Sequence, residues 1–366
     1  MSEDLNIPDF DEFLNLEKYI PHCLKIEKDK FDKNNFINST LNCLTNIISF
    51  LEYIYCFRYN TTNIFSVFEN EIKEIIKQIK EKNKIYYPEQ LTKLILKLFD
   101  KQSSHEPRIL IDYIFNIFLG LHNDEAEKDI SDISDLNFLK INEESITELN
   151  SDFIKSKKFE KKKPEEEKLD IIIKKIKTCK NCKEISTFYK HLTTFHFYLK
   201  PNSEKEYTLD DCFKDFFTKE NEESEYMCSK CSQICNCESK SSFHQIPTAL
   251  FILIYYENGN NNEYKDFYYN FEEIKEFTFC DSTGQIKNKK YFLSSIIVCK
   301  SPNKNEESFY TLCRKENNSD FLIYNYKEKE VRRHGKVVKR QITRLKNEPD
   351  EKKGYPFVLI YTAMKE

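Results

Sequence analysis

Two cysteine pairs, Cys179-Lys180-Asn181-Cys182 and Cys228-Ser229-Lys230-Cys231, decide how the second half of this chain folds. Thiolates separated by two residues can bind the same metal ion, and two such pairs complete a tetrahedral zinc site. Each pair lies in a turn between segments that have the composition of β-strands. The sequence therefore predicts a zinc ribbon on two β-hairpins, with structural zinc bound by these four cysteines.

The other cysteines are predicted to be buried thiols. Residues 1–11 are polar and acidic and lack the apolar core of a signal peptide, which predicts a cytoplasmic or nuclear protein. In those reducing compartments the 13 cysteines of the chain are expected to be metal ligands or buried thiols and not disulfides. Cys235 and Cys237 follow the second pair, and each either substitutes for a ligand or takes no part in the site. The histidines around the ribbon (His191, His196 and His244) are expected to be solvated, because four thiolates already complete a zinc site.

Composition excludes several classes of function. With 366 residues, of which 39% are hydrophobic, the chain can form a globular core. The net charge of −4 gives no overall positive field, so nucleic acid is an unlikely partner class. The local basic stretch Arg332-Arg333-His334-Gly335-Lys336 is interpreted as an exposed hairpin, since no aromatic residues alternate with its charges. No apolar run approaches the roughly 18 residues of a membrane span.

The chain changes character twice along its length. From Asn38 to about His122, apolar residues recur every three to four positions, which predicts a helical lobe. Residues 123–170 are acidic and then mixed in charge, without an apolar face, which predicts a solvated, disordered insertion. Short apolar and aromatic runs then predict a mainly antiparallel β region. These runs are Phe195 to Leu199, Ala249 to Tyr256, Tyr291 to Cys299, Phe309 to Cys313, Phe321 to Tyr324 and Phe357 to Tyr361.

In this order, the segments resemble the ubiquitin-specific protease family of papain-like cysteine isopeptidases. The stretch Phe36-Ile37-Asn38-Ser39-Thr40-Leu41-Asn42-Cys43-Leu44 is similar to the start of the family's nucleophile-bearing helix. Tyr291-Phe292-Leu293 and Ser308-Phe309-Tyr310-Thr311 are similar to its histidine box. Phe321 to Asn325 and Pro356 to Tyr361 are similar to its last two core strands. The likeness covers most of the chain, from Lys30 to Tyr361.

The resemblance implies an α+β fold shaped like a hand, with a helical thumb, an antiparallel β palm and zinc-ribbon fingers. On this basis, residues 1–29 are an N-terminal extension and residues 30–366 are one protease-like domain. Within the domain, residues 30–122 are the thumb, 123–170 the charged insertion, 171–245 the fingers and 246–366 the palm. The resemblance also implies that the body of ubiquitin rests on the fingers, while its tail passes between thumb and palm.

The catalytic positions implied by the resemblance carry the wrong residues. Asn35 stands where the family has its cysteine nucleophile, and a carboxamide has no ionisable nucleophile. Phe309 stands at the histidine position and cannot accept a proton. Asn325 falls at the position that orients the imidazole. The oxyanion-stabilising asparagine of the family is replaced by Lys30, and its Gln-Asp pair on the thumb reads Arg108-Ile109.

Three functions are compatible with this pattern. The first is a pseudoenzyme that binds ubiquitin, a ubiquitinated protein or another partner without hydrolysing it. The second is an active deubiquitinase with a displaced triad, for which Cys43 and Cys23 are the first alternative nucleophiles. The third is a spliceosomal assembly scaffold, by analogy with an inactive branch of the family. The first is the main prediction, because thiol and imidazole are both replaced.

Overall fold

A computed structural model describes residues 23–24, 35–47, 49–51, 70–72, 74, 85–86, 88, 91–93, 95–96, 106–115, 169–200, 207–220, 224–256, 269–271, 274–280, 285–299, 309–314, 321–325, 330–334 and 354–364. Its helices are α1 (Asn35–Thr45), α2 (Pro107–Tyr113) and α3 (Leu209–Glu220). Its strands are β1 (Cys23–Leu24), β2 (Ile85–Tyr86), β3 (Ile171–Cys179), β4 (Ile185–Leu192), β5 (Thr194–Leu199), β6 (Tyr207–Thr208), β7 (Ser224–Cys228), β8 (Gln233–Gln245), β9 (Ala249–Tyr256), β10 (Tyr269–Asn270), β11 (Ile274–Cys280), β12 (Ile286–Cys299), β13 (Phe309–Cys313), β14 (Phe321–Asn325), β15 (Glu330–His334) and β16 (Tyr355–Ala363). Across this described part of the chain, no helix is long and apolar enough to cross a membrane.

Helix α1 is buried on all sides although half of its residues are polar. Some of its polar side chains bond to their own helix: Ser39 Oγ donates to Asn35 O (2.9 Å), and Thr45 Oγ1 donates to Leu41 O (2.7 Å). Such bonds to the carbonyl one turn earlier satisfy polar donors inside a core. Thr40 Oγ1, by contrast, is buried without a hydrogen-bond partner among the described residues. Helix α1 packs against α2 and against strands β12 and β13.

Part of the predicted helical lobe is helical in the structure, and the predicted apolar spacing is confirmed there. Leu41, Leu44, Leu91, Ile95 and Ile111 are all fully buried in the main core, as their spacing requires. Helix α2 starts at a proline, which has no N–H to leave unpaired in the first turn. The rest of the predicted helix up to His122 lies outside the described residues.

The lobe is not wholly helical. Strand β2 lies within it and pairs in parallel with β1, so that Cys23 is opposite Ile85. Strand β1 belongs to the predicted N-terminal extension, which therefore contributes at least two residues to the fold. Of the predicted insertion, residues 123–168 lie outside the description. Its last two residues, Leu169 and Asp170, are buried, so the prediction of a solvated segment is wrong for them.

The larger sheet contains eight strands in the order β15-β14-β13-β12-β16-β9-β5, with β11 paired to the first half of β12. The prediction of an antiparallel sheet is correct for every pair except one, because edge strand β5 runs parallel to β9. Strands β9 and β16 and the second half of β12 are buried almost throughout. Continuous apolar runs of this kind suit strands that are covered on both faces. The basic segment that begins at Arg332 starts in a β-hairpin, as predicted, since β15 pairs with β14.

Alternate residues of β5 contact different layers. Phe195 and Phe197 meet Phe213 of α3, with ring centroids 5.0 Å apart in each pair. Thr194 and His196 instead reach Asp112 of α2. Because side chains alternate along a strand, α2 and α3 lie on opposite faces of the sheet. Helix α3 starts at a capping box, in which Thr208 Oγ1 accepts from Asp211 N (3.1 Å) and Asp211 Oδ2 accepts from Thr208 N (3.2 Å).

A second sheet has four antiparallel strands in the order β4-β3-β8-β7. Hairpin β3–β4 carries the first cysteine pair in its turn, and hairpin β7–β8 carries the second. The inner strands β3 and β8 pair over most of their length, from Ile172 opposite Gln245 to Cys179 opposite Cys237. This pairing brings the two turns to the same end of the sheet.

Candidate functional site

The four paired cysteines converge at the end of the small sheet. The sulfur atoms of Cys179, Cys182, Cys228 and Cys231 all lie within 4.8 Å of one another. The two turns share one design: Lys183 N donates to Cys179 O (3.0 Å), and Ser232 N donates to Cys228 O (2.8 Å). The donor in each turn has a positive φ, 60° for Lys183 and 53° for Ser232. Each turn therefore bends back on itself and points both of its thiols inward.

The cluster has the dimensions of a zinc site. Two sulfur pairs are 3.5 Å apart (Cys182 and Cys228) and 3.9 Å apart (Cys179 and Cys231). A tetrahedron with Zn–S bonds of about 2.3 Å has edges of about 3.8 Å, which falls between these two values. Four soft thiolate donors and no vacant position are typical of a structural zinc ion. The cluster could therefore hold a metal ion and is compatible with zinc.

Backbone donors prepare the first cysteine of each pair for metal binding. The N–H of Cys182, followed by that of Asn181, lowers the pKa of Cys179 to about 6. The N–H of Cys231, 3.5 Å from the Cys228 sulfur, likewise lowers the pKa of Cys228. The neighbouring Cys182 sulfur, together with burial, raises the pKa of Cys231. A bound cation would favour the thiolate form of all four cysteines, so these pKa shifts are compatible with a metal site.

Cys235 and Cys237 lie beside this cluster on β8. Cys235 is buried and packs with Cys179 and Cys228. Cys237 is also buried, but its sulfur lies 3.6 Å from Ser239 Oγ. Neither belongs to the group of four converging thiols.

The three positions assigned to a catalytic triad lie on neighbouring elements. Asn35 is the first residue of α1, Phe309 is the first residue of β13, and Asn325 is the last residue of β14, which pairs with β13. A hydrogen bond from Thr311 Oγ1 to Ser39 O (2.9 Å) joins α1 to β13. Ser39 lies one helical turn from Asn35, and Thr311 lies on the same face of β13 as Phe309. The fold thus brings the starts of α1 and β13 to the same region.

Both side chains at these starts are buried. Asn35 is 7% exposed, and its Oδ1 has no hydrogen-bond partner among the described residues. Phe309 is 3% exposed and packs on Phe357, with the ring centroids 5.5 Å apart.

Arg108 extends this aromatic packing towards helix α2. Its guanidinium lies 4.0 Å from the centroid of Phe357 and 4.5 Å from that of Tyr255, within the range of cation–π interactions. Arg108 Nη1 donates to Ile254 O, and Nε donates to Glu106 Oε2 (3.0 Å). Arg108, Phe357, Phe309 and Tyr255 form what we call the guanidinium stack. It joins helix α2 to strands β9, β13 and β16.

The structure places Cys43, one of the two alternative nucleophiles, in the core. This residue lies eight positions along α1 from Asn35, about 12 Å along the helix axis, and is fully buried. Burial, and then the nearby Cys313, raise the pKa of Cys43 well above its ordinary value. Since the thiolate is the reactive form, a buried thiol with a raised pKa is a poorer nucleophile than an exposed one. The side chain of Cys23, the other alternative, lies outside the description.

A polar cluster between α2 and β5 was not predicted. Thr194 Oγ1 donates to Asp112 Oδ1 (3.0 Å), and His196 Nε2 lies 3.3 Å from the same carboxylate. His191 Nδ1 similarly lies 2.9 Å from Asp170 Oδ2. Both histidines are only about one-third exposed, so the expectation that they are simply solvated is wrong for them. Asp112 and His196 are 84 residues apart in the sequence, so no local pattern of residues predicts their contact.

The fold is a mixed α+β domain built mostly of β-sheet, in which a buried helix start meets the start of a central strand. The chain belongs to the ubiquitin carboxyl-terminal hydrolase family, whose profile matches residues 30–361. It is thus a ubiquitin-specific protease-like protein, as its motifs indicated. A search of curated proteins found no match to the chain.

Proposed function

We propose that this protein is a non-hydrolysing member of its family that binds ubiquitin, or a ubiquitinated partner, on a zinc-stabilised scaffold. The main support is the filling of the catalytic positions: Asn35 and Phe309 stand where the family uses a thiol and an imidazole. Phe309 belongs to the guanidinium stack, so an aromatic ring occupies the place of the general base.

The residues at the three assigned positions lack the groups that thiol-dependent isopeptide hydrolysis uses. This reaction needs a thiolate to attack the carbonyl, a base to take up and return its proton, and donors for the oxyanion. The carboxamide of Asn35 provides no thiolate, and the phenyl ring of Phe309 accepts no proton. Asn325 would have no imidazole to orient. The burial of Cys43 and its raised pKa make this residue an unfavourable replacement for the missing nucleophile.

A turnover assay tests the loss of activity. We expect the purified protein to release no fluorophore from a ubiquitin C-terminal amide substrate above the rate of buffer. The C43A variant, in which the proposed alternative nucleophile is absent, should give the same result. Turnover by the wild-type protein that disappears in C43A would show that the protein is an active enzyme with a displaced triad.

The proposed zinc ion has a structural role. It would cross-link hairpins β3–β4 and β7–β8 through Cys179, Cys182, Cys228 and Cys231, and would leave no position for substrate. Zinc would thereby hold the tip of the small sheet, which the family resemblance assigns to the support of ubiquitin's body. Three apolar side chains near this tip (Ile185, Met227 and Ile234) are 64–65% exposed and offer contact area.

Binding is tested by titrating isotopically labelled ubiquitin with the protein and following its backbone amide shifts. We expect shifts on the hydrophobic face of ubiquitin, which should weaken in an M227D/I234D variant. Met227 and Ile234 are opposite one another on β7 and β8, so the two new charges fall on a single patch. An I286D variant is the matched control, since Ile286 is 77% exposed on a different hairpin. No shifts at high protein excess would refute ubiquitin binding and leave other proteins as partners.

A further inference from the structure

We propose that the outer face of the small sheet is a self-association surface, on which a second copy of this chain docks in antiparallel orientation. The outer face is the side of the sheet that alternates with the side carrying Cys235, Cys237 and Phe243. It is made of Ile185, Thr187 and Tyr189 of β4, Lys174, Ile176 and Thr178 of β3, Ile234, Asn236, Glu238, Lys240 and Ser242 of β8, and Glu225 and Met227 of β7. Self-association goes beyond the proposed function and does not depend on it.

The outer face is open to solvent and rich in apolar side chains. Along β8, every second residue from Ile234 to Ser242 is exposed, whereas Cys235, Cys237 and Ser239 between them are buried. Protein therefore covers one side of the sheet and leaves the other side free. Of the eight large hydrophobic side chains that are exposed in the described part of the chain, four lie on this face: Ile185, Tyr189, Met227 and Ile234. Such a concentration of exposed apolar area is typical of a surface that binds another protein.

The charges of the outer face are segregated along the strands. Two acidic side chains, Glu225 and Glu238, lie in the half that is nearer to the cysteine turns. Two basic side chains, Lys174 and Lys240, lie in the half that is farther from those turns. None of these four side chains forms an ion pair with another described residue. The face thus presents two unpaired charges of each sign, in separate halves.

This segregation makes the outer face complementary to itself in one orientation. Two sheets that stack face to face lie about 10 Å apart, with their strands nearly aligned. When the strands of two copies run antiparallel, the acidic half of each copy lies over the basic half of the other. When they run parallel, like charges face each other, which opposes association. A two-fold axis relates the antiparallel pair, so the two ends of the interface are equivalent and the assembly closes at two copies.

The size of the outer face indicates a weak, reversible dimer. The stretch from Ile234 to Ser242 extends about 30 Å, and four strands spaced about 4.8 Å apart are about 15–20 Å wide. The footprint is then about 500 Å² per copy, or about 1,000 Å² in total, which is the lower limit for a specific interface. Association is therefore expected at micromolar protein concentrations, and it should weaken as salt screens the charge pairs.

Self-association would compete with ubiquitin for the same surface. The outer face contains Met227 and Ile234, the patch that the proposed function assigns to ubiquitin. A dimer would cover this patch in both copies, so that only the monomer could bind ubiquitin. This consequence, unlike the dimer itself, rests on the proposed function.

Sedimentation velocity of the full chain, at protein concentrations on the order of 1–100 µM, tests the proposal. The wild type should shift from monomer to dimer over this range, and added salt should reduce the dimer fraction. K174E/K240E, with an acidic outer face, and E225K/E238K, with a basic one, should each remain monomeric. An equimolar mixture of these two variants should dimerise again, because every acidic half then meets a basic half.

K287E/K290E is the matched control, because it reverses two exposed lysines on β12 and changes the net charge as K174E/K240E does. It should dimerise like the wild type. Circular dichroism checks that each variant is folded. If K174E/K240E does not fold, K240E alone takes its place, since Lys240 is exposed, and it should weaken dimerisation about tenfold.

Three results would overturn the proposal: a wild type that stays monomeric over the whole range, undiminished dimerisation of the folded acidic variant, or no association of the two complementary variants when mixed. The ubiquitin titration separates this inference from the proposed function. If the dimer forms and ubiquitin does not bind, the proposed function fails and the self-association surface stands. If ubiquitin binds to a protein that stays monomeric, this inference alone fails.

Discussion

Truncation of Arg108 is expected to loosen the contact between helix α2 and the large sheet. The side chain of Arg108 is 8% exposed and that of its partner Glu106 is 19% exposed, so solvent screens their interaction only weakly. The guanidinium also donates to Ile254 O and lies against the rings of Phe357 and Tyr255.

The size of the effect follows from these contacts. A hydrogen bond to a charged group contributes about 1.5–3 kcal/mol, and a desolvated cation–π contact contributes about 2 kcal/mol. Breaking a buried ion pair costs about 3–5 kcal/mol, and we expect R108A to lower the free energy of unfolding by this amount. Because whole domains are stable by only about 5–15 kcal/mol, such a loss is large. R108K should lie between R108A and the wild type, since lysine keeps the charge but lacks the planar group that stacks.

Urea unfolding, followed by circular dichroism and tyrosine fluorescence, measures the change, and the absence of tryptophan leaves tyrosine as the fluorophore. R314A is the matched control, because Arg314 also donates to a backbone oxygen (Leu293 O, 2.7 Å). It differs from Arg108 in that it is only half-buried and its guanidinium lies farther from an aromatic ring, 5.8 Å from the Phe292 centroid. Because Arg314 is more exposed, R314A should lose only about 1.5 kcal/mol, the lower end of the range for a hydrogen bond to a charged group. A double-mutant cycle with E106A should give a coupling energy of about 1 kcal/mol or more. If R108A is no worse than R314A, or adds to E106A within about 0.5 kcal/mol, the guanidinium stack does not stabilise the fold.

Three further outcomes are expected. Zinc chelation, or the C182S substitution, should lower the melting temperature of the protein. In the C237S variant, chelation should lower the melting temperature as much as in the wild type, since Cys237 lies outside the group of four thiols. F309A should lower the free energy of unfolding by about 3–4 kcal/mol, because Phe309 is 3% exposed. I286A, at a 77% exposed position, should change it by less than about 0.5 kcal/mol. Equal losses in urea unfolding would contradict the packing described for Phe309. Stability should fall as pH rises from 9 towards 12, because burial raises the pKa of Cys313 from 9.0 to about 12 and the unfolded chain then releases its proton first. The slope is about 1.4 kcal/mol per pH unit for this thiol, and an unchanged slope in C313A would contradict the assignment.

Six of the eight strands of the large sheet could be predicted, because each of them contains its own signal. Ala249–Tyr256 and Phe309–Cys313 are apolar runs bounded by polar residues, and the structure gives both strands those same limits. The parallel pairing of β5 with β9 has no such signal, since the direction of a neighbouring strand depends on the path of the chain between the two strands. Residues 200–248, which contain α3 and the second hairpin, provide that path.

The contacts of Arg108 likewise could not be predicted from the sequence, because its partners are far away in the chain. By sequence it is only a residue that replaces a glutamine of the family. Its aromatic partners, Tyr255 and Phe357, are 147 and 249 positions away, and each follows its own strand into the core. The contact of Asp112 with His196 is equally invisible to any pattern of neighbouring residues.

By itself, the sequence determined the family, the principal strands and the four cysteines that can hold a metal, because these depend on apolar runs, residue identity and short spacings. Only the tertiary structure decided that Phe309 packs in a stack with Arg108, that Asp112 contacts His196, and that Cys235 lies beside the cysteine cluster. These facts depend on distances between residues far apart in the chain, which are set when separate strands and helices pack into one core.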